Sequence, residues 1–388
     1  MKDLLFLATA YLFRNWGKSL TLITCLGVCV FLPITVSGLV RLFEEEMDSR
    51  AQSTPLVLGK DGSRFDLVLH ALHFRTEAPG TIKTKLAEEL SDEGLARVIP
   101  LFGGYAARGY PVVATTLAYF DFRDLSFAEG TPPLFLGDCV LGAEVADALG
   151  IGPGDRLFTD SQNVFNLAGA QPVNLRVTGV LDPSGSSDDQ AVFTHLGTGW
   201  LLAGFGHGHD DVTSGSANVL TEEEGNVTVG AAISTHLEVT RENILSFHIH
   251  GEDQSLPLSA LILVPKDERA TAILRGRFDD PDDGVQVLRP ASVVAELLGM
   301  VARVKRFFDL HHLFLIGIST AFLFLVFILS ARLRRDEFAT MSDLGASRGS
   351  IVALQMIEGL VLFALGSLVA VLASRLVLSL ASGGVLFS

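Results

Sequence analysis

Three long apolar runs constrain this chain more than anything else in it: Ser19–Val40, Leu310–Ala331 and Ile351–Ala373. The 22 residues of the first carry no charge. At about 1.5 Å of rise per residue they make about 33 Å of helix, enough to cross a hydrocarbon core of about 30 Å. A membrane protein with three clear α-helical transmembrane segments is therefore expected. A cleaved signal peptide would have an apolar region of only about 7–15 residues and a small-residue cleavage site. Ser19–Val40 instead exits into Arg41 and Glu44–Glu45–Glu46, as a retained helix would. Pro33 should kink it, with neighbouring helices or Thr35 taking up the freed carbonyl.

Charge sets the orientation. Arg14 and Lys18 precede the first run, and Arg332, Arg334 and Arg335 follow the second. Both basic ends belong in the cytoplasm, so the acidic exit of the first run lies outside. From Glu44 to Met300 the chain holds 17 Lys+Arg against 38 Asp+Glu, and the two ends together hold 12 against 6. An acidic extracytoplasmic domain between basic membrane ends follows. Nucleic acid is excluded as a partner, because phosphates need a basic stripe that this domain lacks. Cys25 and Cys29 sit four apart within the first run and Cys139 stands alone, so no disulfide framework is legible.

The region 44–300 should fold as a mixed α/β domain with two lobes, since strand-like and helical patterns interleave. Phe65–Leu72, Val112–Phe120, Leu175–Leu181 and Leu256–Val264 read as strands, and Lys83–Glu93 and Val140–Leu149 as helices, the latter closed by Gly150. Asp182–Gln190, His207–Gly230 and Asp279–Gly284 read as exposed loops and turns. Residues 301–331 form a stalk and second span, 332–350 a cytoplasmic hairpin, and 351–388 a third span with a tail too short for a fourth crossing.

Histidines pair up at His207 and His209, followed by Asp210 and Asp211, and at His248 and His250, followed by Glu252 and Asp253. An H-x-H in extended chain places both imidazoles on one face. Imidazole with nearby carboxylate is the usual ligand set for zinc and related divalent ions, so these eight residues are the candidate metal ligands if the two segments meet. The alternative is a polar loop and a strand edge. His70 with His73, and His311 with His312, are expected to be structural. There is no G-x-x-x-x-G-K-[ST] phosphate loop, no G-x-S-x-G elbow and no H-E-x-x-H helix, so no enzyme is expected and ATP could act only through a partner.

The hairpin Ser330–Gly359 carries RRDEF, LGASRGSI and Glu358–Gly359. With Thr9–Gly27, Pro55–Phe74 and Val140–Val180 (LGAEVADALGIGPGD, then LRVTGV), it resembles the FtsX/MacB/LolC-like permeases of ABC transporters, the second segment pointing to the LolC-like branch. The resemblance implies a MacB-like periplasmic domain, a location in the bacterial inner membrane, a second permease copy or homologue as dimer partner, and a cytoplasmic ATP-binding subunit. That subunit would dock around Glu337, Leu344, Gly345, Ala346, Ser347 and Arg348, with Glu358 at the start of the third helix. Movements of the outside domain would then handle a lipoprotein, lipid or peptide cargo, or a periplasmic partner. A permease-like signal transmitter and a component of a zinc-handling system are the alternatives. The family's fourth helix is expected to be missing or degraded here. From the residues alone, the arginines also read as positive-inside anchors, and Glu358 either lies near the interface or is bonded to a neighbouring helix.

Overall fold

The computed structural model describes residues 2–160, 172–208, 219–223, 226–229, 238–240, 242–250, 255–278 and 284–382. It divides into two units, Glu46–Leu297 and, from the two ends of the chain, Met1–Glu45 with Leu298–Ser388. Helices among the described residues are α1 (Lys2–Arg14), α2 (Trp16–Gln52), α3 (Arg64–His73), α4 (Thr84–Asp92), α5 (Leu117–Arg123), α6 (Ala143–Leu149), α7 (Leu196–Leu202), α8 (Glu268–Arg277), α9 (Pro290–Leu333), α10 (Arg335–Asp343) and α11 (Arg348–Ser382).

Strands are β1 (Leu56–Lys60), β2 (Ile82–Lys83), β3 (Ala96–Ala107), β4 (Tyr110–Thr115), β5 (Phe127–Gly130), β6 (Asp138–Leu141), β7 (Arg156–Phe158), β8 (Asn174–Leu181), β9 (Val192–His195), β10 (Gly206–Gly208), β11 (Val219–Glu223), β12 (Asn226–Val229), β13 (Phe247–Ile249), β14 (Pro257–Leu258), β15 (Ala260–Pro265) and β16 (Val285–Leu288). One mixed sheet runs β16-β1-β15-β3-β4-β9-β6-β8-β5, with β7 also on β8. The pairs β4–β9 and β6–β8 are parallel, and the others are antiparallel. Three two-stranded ribbons, β10–β13, β11–β12 and β14–β2, stand apart from it.

Two buried clusters sit along this sheet. One gathers Leu56, Leu58, Leu261 and Leu263 with Leu90 and Leu274 of α4 and α8. The other gathers Cys139, Leu141, Leu175, Val177 and Val192 with Val145 of α6. The Glu46–Leu297 unit is threaded by one continuous sheet that carries both clusters.

Several sequence expectations need correction. Phe65–Leu72 is helix α3, not a strand: Ser63 Oγ accepts the Asp66 N–H at 3.2 Å and caps the start. Phe74 at φ 58 closes the end, and Leu67, Val68, Ala71 and Leu72 bury one helical face. Val112–Phe120 is split at Thr116 into β4 and α5, and Val140–Leu149 at Gly142 into β6 and α6. A Cβ on Gly142 would lie 2.3 Å from the Asp188 carbonyl oxygen, so this break needs glycine. Gly150 at φ 64 does close α6. Leu175–Leu181 and Lys83–Glu93 fall within a residue or two of β8 and α4, and Leu256–Val264 covers β14 and all of β15 but Pro265.

Asp182–Gln190 is not simply an exposed loop. It contains a 3-10 turn, Ser187–Gln190, in which Ser187, Asp188 and Asp189 are buried. His207–Gly230 contains β10 and the β11–β12 hairpin. Asp279–Asp283 lies outside the described residues.

In the other unit, two described helices are long and apolar enough to cross a bilayer, Trp16–Gln52 and Arg348–Ala381. The run Leu310–Ala331 is helical throughout, within α9. α11 continues past Ala373 and Arg375 to Ser382, so the expected tail is helix up to that point. α2 and α11 approach closely at glycine: a Cβ on Gly366 would meet Leu26 Cβ at 3.0 Å and the Ile23 carbonyl oxygen at 3.1 Å. Twelve residues later, Leu378 lies against Gly38, so the two helices run parallel. The Thr35 hydroxyl is buried without a hydrogen-bond partner among the described residues, so it does not take up the carbonyl freed by Pro33.

Candidate functional site

The hairpin at 332–350 is built by two breaks in helix. α9 stops at Leu333, and Arg334 leads into α10, whose first turn carries Asp336 and Glu337 where the helix dipole favours acid. α10 ends at Asp343, and Gly345 at φ 95 supplies the left-handed residue that reverses the chain. Ser347 Oγ accepts the Ser350 N–H at 3.2 Å and starts α11. Leu344 projects from the turn with 84% of its surface exposed, and Arg348 is exposed beside it, while Ala346 is half-buried.

Arg334 organises this region. Its Nη1 donates to Glu358 Oε1 and Oε2 at 3.1 and 2.9 Å, and its Nε donates to Glu337 Oε2 at 2.9 Å. The guanidinium lies 3.6 Å from the Tyr11 ring centroid and 4.9 Å from that of Phe338. One side chain therefore joins α1, the end of α9, α10 and α11. Arg334 and Glu358 are only 7% and 6% exposed. Glu358 is hydrogen-bonded to Arg334 of a neighbouring segment. Removing one partner of such a buried pair costs about 3–5 kcal/mol, because the other charge is stranded.

A second buried ion pair sits in the soluble unit. Arg50, in the last turn of α2, donates to Asp188 Oδ2 at 2.7 Å and Oδ1 at 2.8 Å, and to the Tyr119 hydroxyl at 2.9 Å. Tyr119 in turn donates to Asp188 Oδ1 at 2.7 Å. Arg123 of α5 holds Ser53 and Thr54 by their hydroxyls at 3.1 and 2.9 Å. His73 lies 2.7 Å from Ser187 Oγ and, by burial first and then by the charges of Arg50, Arg75 and Arg123, is pushed down to about 3. Burial alone would raise Asp188, but the charge and hydrogen bonds of Arg50 outweigh it and hold the carboxyl below its usual range. Burial pushes the Tyr119 hydroxyl above its usual range.

None of Arg334, Tyr11, Arg50, Tyr119 or Asp188 was singled out from sequence as a site residue. The signal available for Arg334 was its place in a basic cluster facing a membrane glutamate. For Arg50 and Asp188, separated by 138 positions, no local signal existed.

The histidines are brought together in part. β10 and β13 pair antiparallel with His207 opposite His248. His250, one residue beyond β13, places Nε2 3.3 Å from His207 Nδ1. His209, Asp210, Asp211, Glu252 and Asp253 lie outside the described residues. His70 is buried on α3, 2.7 Å from both the Thr76 carbonyl oxygen and Ser259 Oγ, a structural role like that of His73.

Comparison with known proteins follows this division. The MacB-like periplasmic core domain matches residues 19–245, more than half of the chain, and the FtsX-like permease C-terminal domain matches residues 312–387. The chain belongs to the FtsX/MacB permease family. No curated protein matches it. Among solved structures, it is similar to the periplasmic region of MacB from Actinobacillus actinomycetemcomitans, with 10% identity, TM-score 0.35, and coverage of 65% of this chain and 97% of that one. The extracellular domain of the noncanonic ABC-type transporter YknZ from Gram-positive bacteria gives 10% identity, TM-score 0.32 and coverage of 60% and 98%. A domain of a putative permease protein from Porphyromonas gingivalis gives 13%, 0.27, and coverage of 60% and 86%. Permeases of this family work with ATP-binding subunits in ABC transporters. The candidate hairpin lies within the FtsX-like match, and Arg50, Tyr119 and Asp188 lie within the MacB-like match.

Proposed function

We propose that this permease is a multi-pass subunit of the bacterial inner membrane, paired with a second copy or a homologue, that is powered by a separate cytoplasmic ATP-binding subunit. The observation that carries this reading is the Arg334 junction. A subunit pressing on Leu344–Arg348 would load α10, and Arg334 links α10 to α1 and α11 through Tyr11 and Glu358. An exposed leucine at the tip of a basic, glycine-reversed turn suits insertion into an apolar notch on a partner.

The parallel pairing of α2 with α11 supports three crossings. If both run outward, α9 must return through Leu310–Ala331. α2 is unbroken from Trp16 to Gln52, and its last turn is tied by Arg50 into the soluble fold. Motion of that helix would reach the periplasmic domain directly. The proposed work is extraction or export of a lipoprotein, lipid or peptide in the manner of the LolC-like branch, whose likeness rests on Pro55–Phe74. The 388 residues hold no phosphate loop, and the proposal assigns hydrolysis to the partner subunit.

The test is co-purification from native membranes with an ATP-binding subunit, followed by ATPase assay of the complex carrying Arg334→Gln or Glu358→Gln. The expected result is an assembled complex with a reduced coupled rate. A complex whose activity and cargo movement are unchanged by both substitutions would overturn the coupling role. Hydrolysis with no cargo movement in the wild type would favour the signal-transmitting alternative.

A further inference from the structure

We infer that His207, His248 and His250 form a three-histidine site for a zinc-class divalent ion on the β10–β13 ribbon. Three independent distances converge on it. The ring centroids lie 4.8 Å (His207 to His248), 4.8 Å (His207 to His250) and 4.7 Å (His248 to His250) apart, a nearly equilateral triangle. One potential ligand nitrogen from each ring falls within 4.8 Å of the others. The His207 Nδ1 to His250 Nε2 separation is 3.3 Å.

A tetrahedral ion with bonds of about 2.0–2.1 Å spaces its ligands about 3.3 Å apart. The His207–His250 pair already has that spacing. His248 has to close by about 1.5 Å at most, which a side-chain rotation supplies.

The backbone explains why the cluster forms. His207 faces His248 across an antiparallel pair, and His248 and His250 share a face because strand side chains alternate. Gly206 and Gly208 flank His207. A Cβ on Gly206 would lie 2.7 Å from the His248 carbonyl oxygen, and one on Gly208 would lie 2.6 Å from the Phe247 ring, so glycine on both sides lets the ribbon close up under the imidazoles.

Neutral imidazole suits zinc and its neighbours in the first transition row, whereas magnesium and calcium prefer oxygen. His248 and His250 are exposed and His207 half-buried, so an ion held by them would be within reach of solvent. Two of the three ligands lie beyond residue 245, where the MacB-like match ends, so family membership does not supply this site.

The site is independent of the coupling mechanism, and its test uses the full-length, tag-free protein in detergent. Titration calorimetry with Zn2+ near neutral pH should show one ion per chain. Replacing His207, His248 or His250 singly by Gln should weaken binding by at least about 10–100-fold, the loss typical even for a supporting partner of a ligand. His311→Gln and His312→Gln should leave it unchanged. X-ray absorption of the zinc-loaded wild type provides a readout independent of any variant, with three imidazole nitrogens expected in the first shell. Absence of stoichiometric binding, binding retained when all three histidines are replaced, or fewer than three imidazoles on the ion would each overturn the site.

Discussion

Replacing Asp188 by Asn probes the soluble fold where it is most exposed to failure. The substitution keeps shape and one acceptor but removes the charge facing Arg50, which is 6% exposed and whose Nε already lacks a partner among the described residues. The amide offers one acceptor where the carboxylate offered two, so the prongs from Arg50 at 2.7 and 2.8 Å cannot both be kept and the NH2 group is left facing a buried donor. Stranding a buried charge in this way costs about 3–5 kcal/mol. For a unit of this size each kcal/mol moves the midpoint by about 2–4 °C, so the expected drop in Tm is about 6–20 °C.

Thermal unfolding of the full-length protein in detergent would measure it, using near-ultraviolet circular dichroism. Trp200, which donates to the Pro257 carbonyl oxygen at 2.8 Å, contributes a signal from this unit. Asp182→Asn is the control: it touches Ser126 at an exposed position and should change stability by only about 0.5 kcal/mol. The double variant Arg50→Met/Asp188→Leu should recover most of the loss, since apolar side chains can replace a buried pair at little cost. A Tm within about 2 °C of wild type for Asp188→Asn, or a double variant as unstable as the two single effects combined, would refute the reasoning.

Acid should destabilise the same unit. His73 is held near 3 while the unfolded chain titrates near about 6.5. Unfolded protein therefore binds the extra proton between those values, and stability falls as pH drops through that window, by up to about 1.4 kcal/mol per pH unit. Asp188, depressed by Arg50, adds a loss in the same direction at lower pH, beginning below the ordinary carboxylate value of about 3.9. His73→Gln should flatten the denaturation profile between about pH 6.5 and 4.5, and an unchanged slope would remove His73 as the cause. In the membrane unit, Gly366→Leu should cost about 1–3 kcal/mol or more by forcing α2 from α11. Gly276→Ala in α8, where nothing lies within 4 Å, should be neutral or mildly stabilising in the same thermal assay.

The long helices at the two ends of the chain were legible because an apolar run of bilayer length is a signal spread over many residues. Ser19–Val40 and Ile351–Ala373 fall inside α2 and α11, and the hairpin between 332 and 350 folds as a helix and a glycine turn. Phe65–Leu72 misled because Phe, Leu and Leu alternate with Asp and Val in a short segment, where periods of two and 3.6 are hard to separate. The Ser63 cap and burial of both Leu67 and Val68 decide for helix. Asp182–Gln190 has the composition of a solvated loop, and only its packing on Gly142 and Arg50 buries the acids. The face shared by His248 and His250 could be read from spacing alone. That His207 joins them depends on a strand pairing across 41 positions, which local pattern does not encode.

In the proposed complex an ATP-binding subunit seats on the turn after α10. A photo-cross-linking amino acid placed at Leu344, 84% exposed at the tip of that turn, tests it in intact membranes at native expression levels. The account predicts an adduct, identified by mass spectrometry, with a cytoplasmic subunit that carries a G-x-x-x-x-G-K-[ST] phosphate loop. Adducts only with lipid, or with proteins lacking that loop, would contradict it.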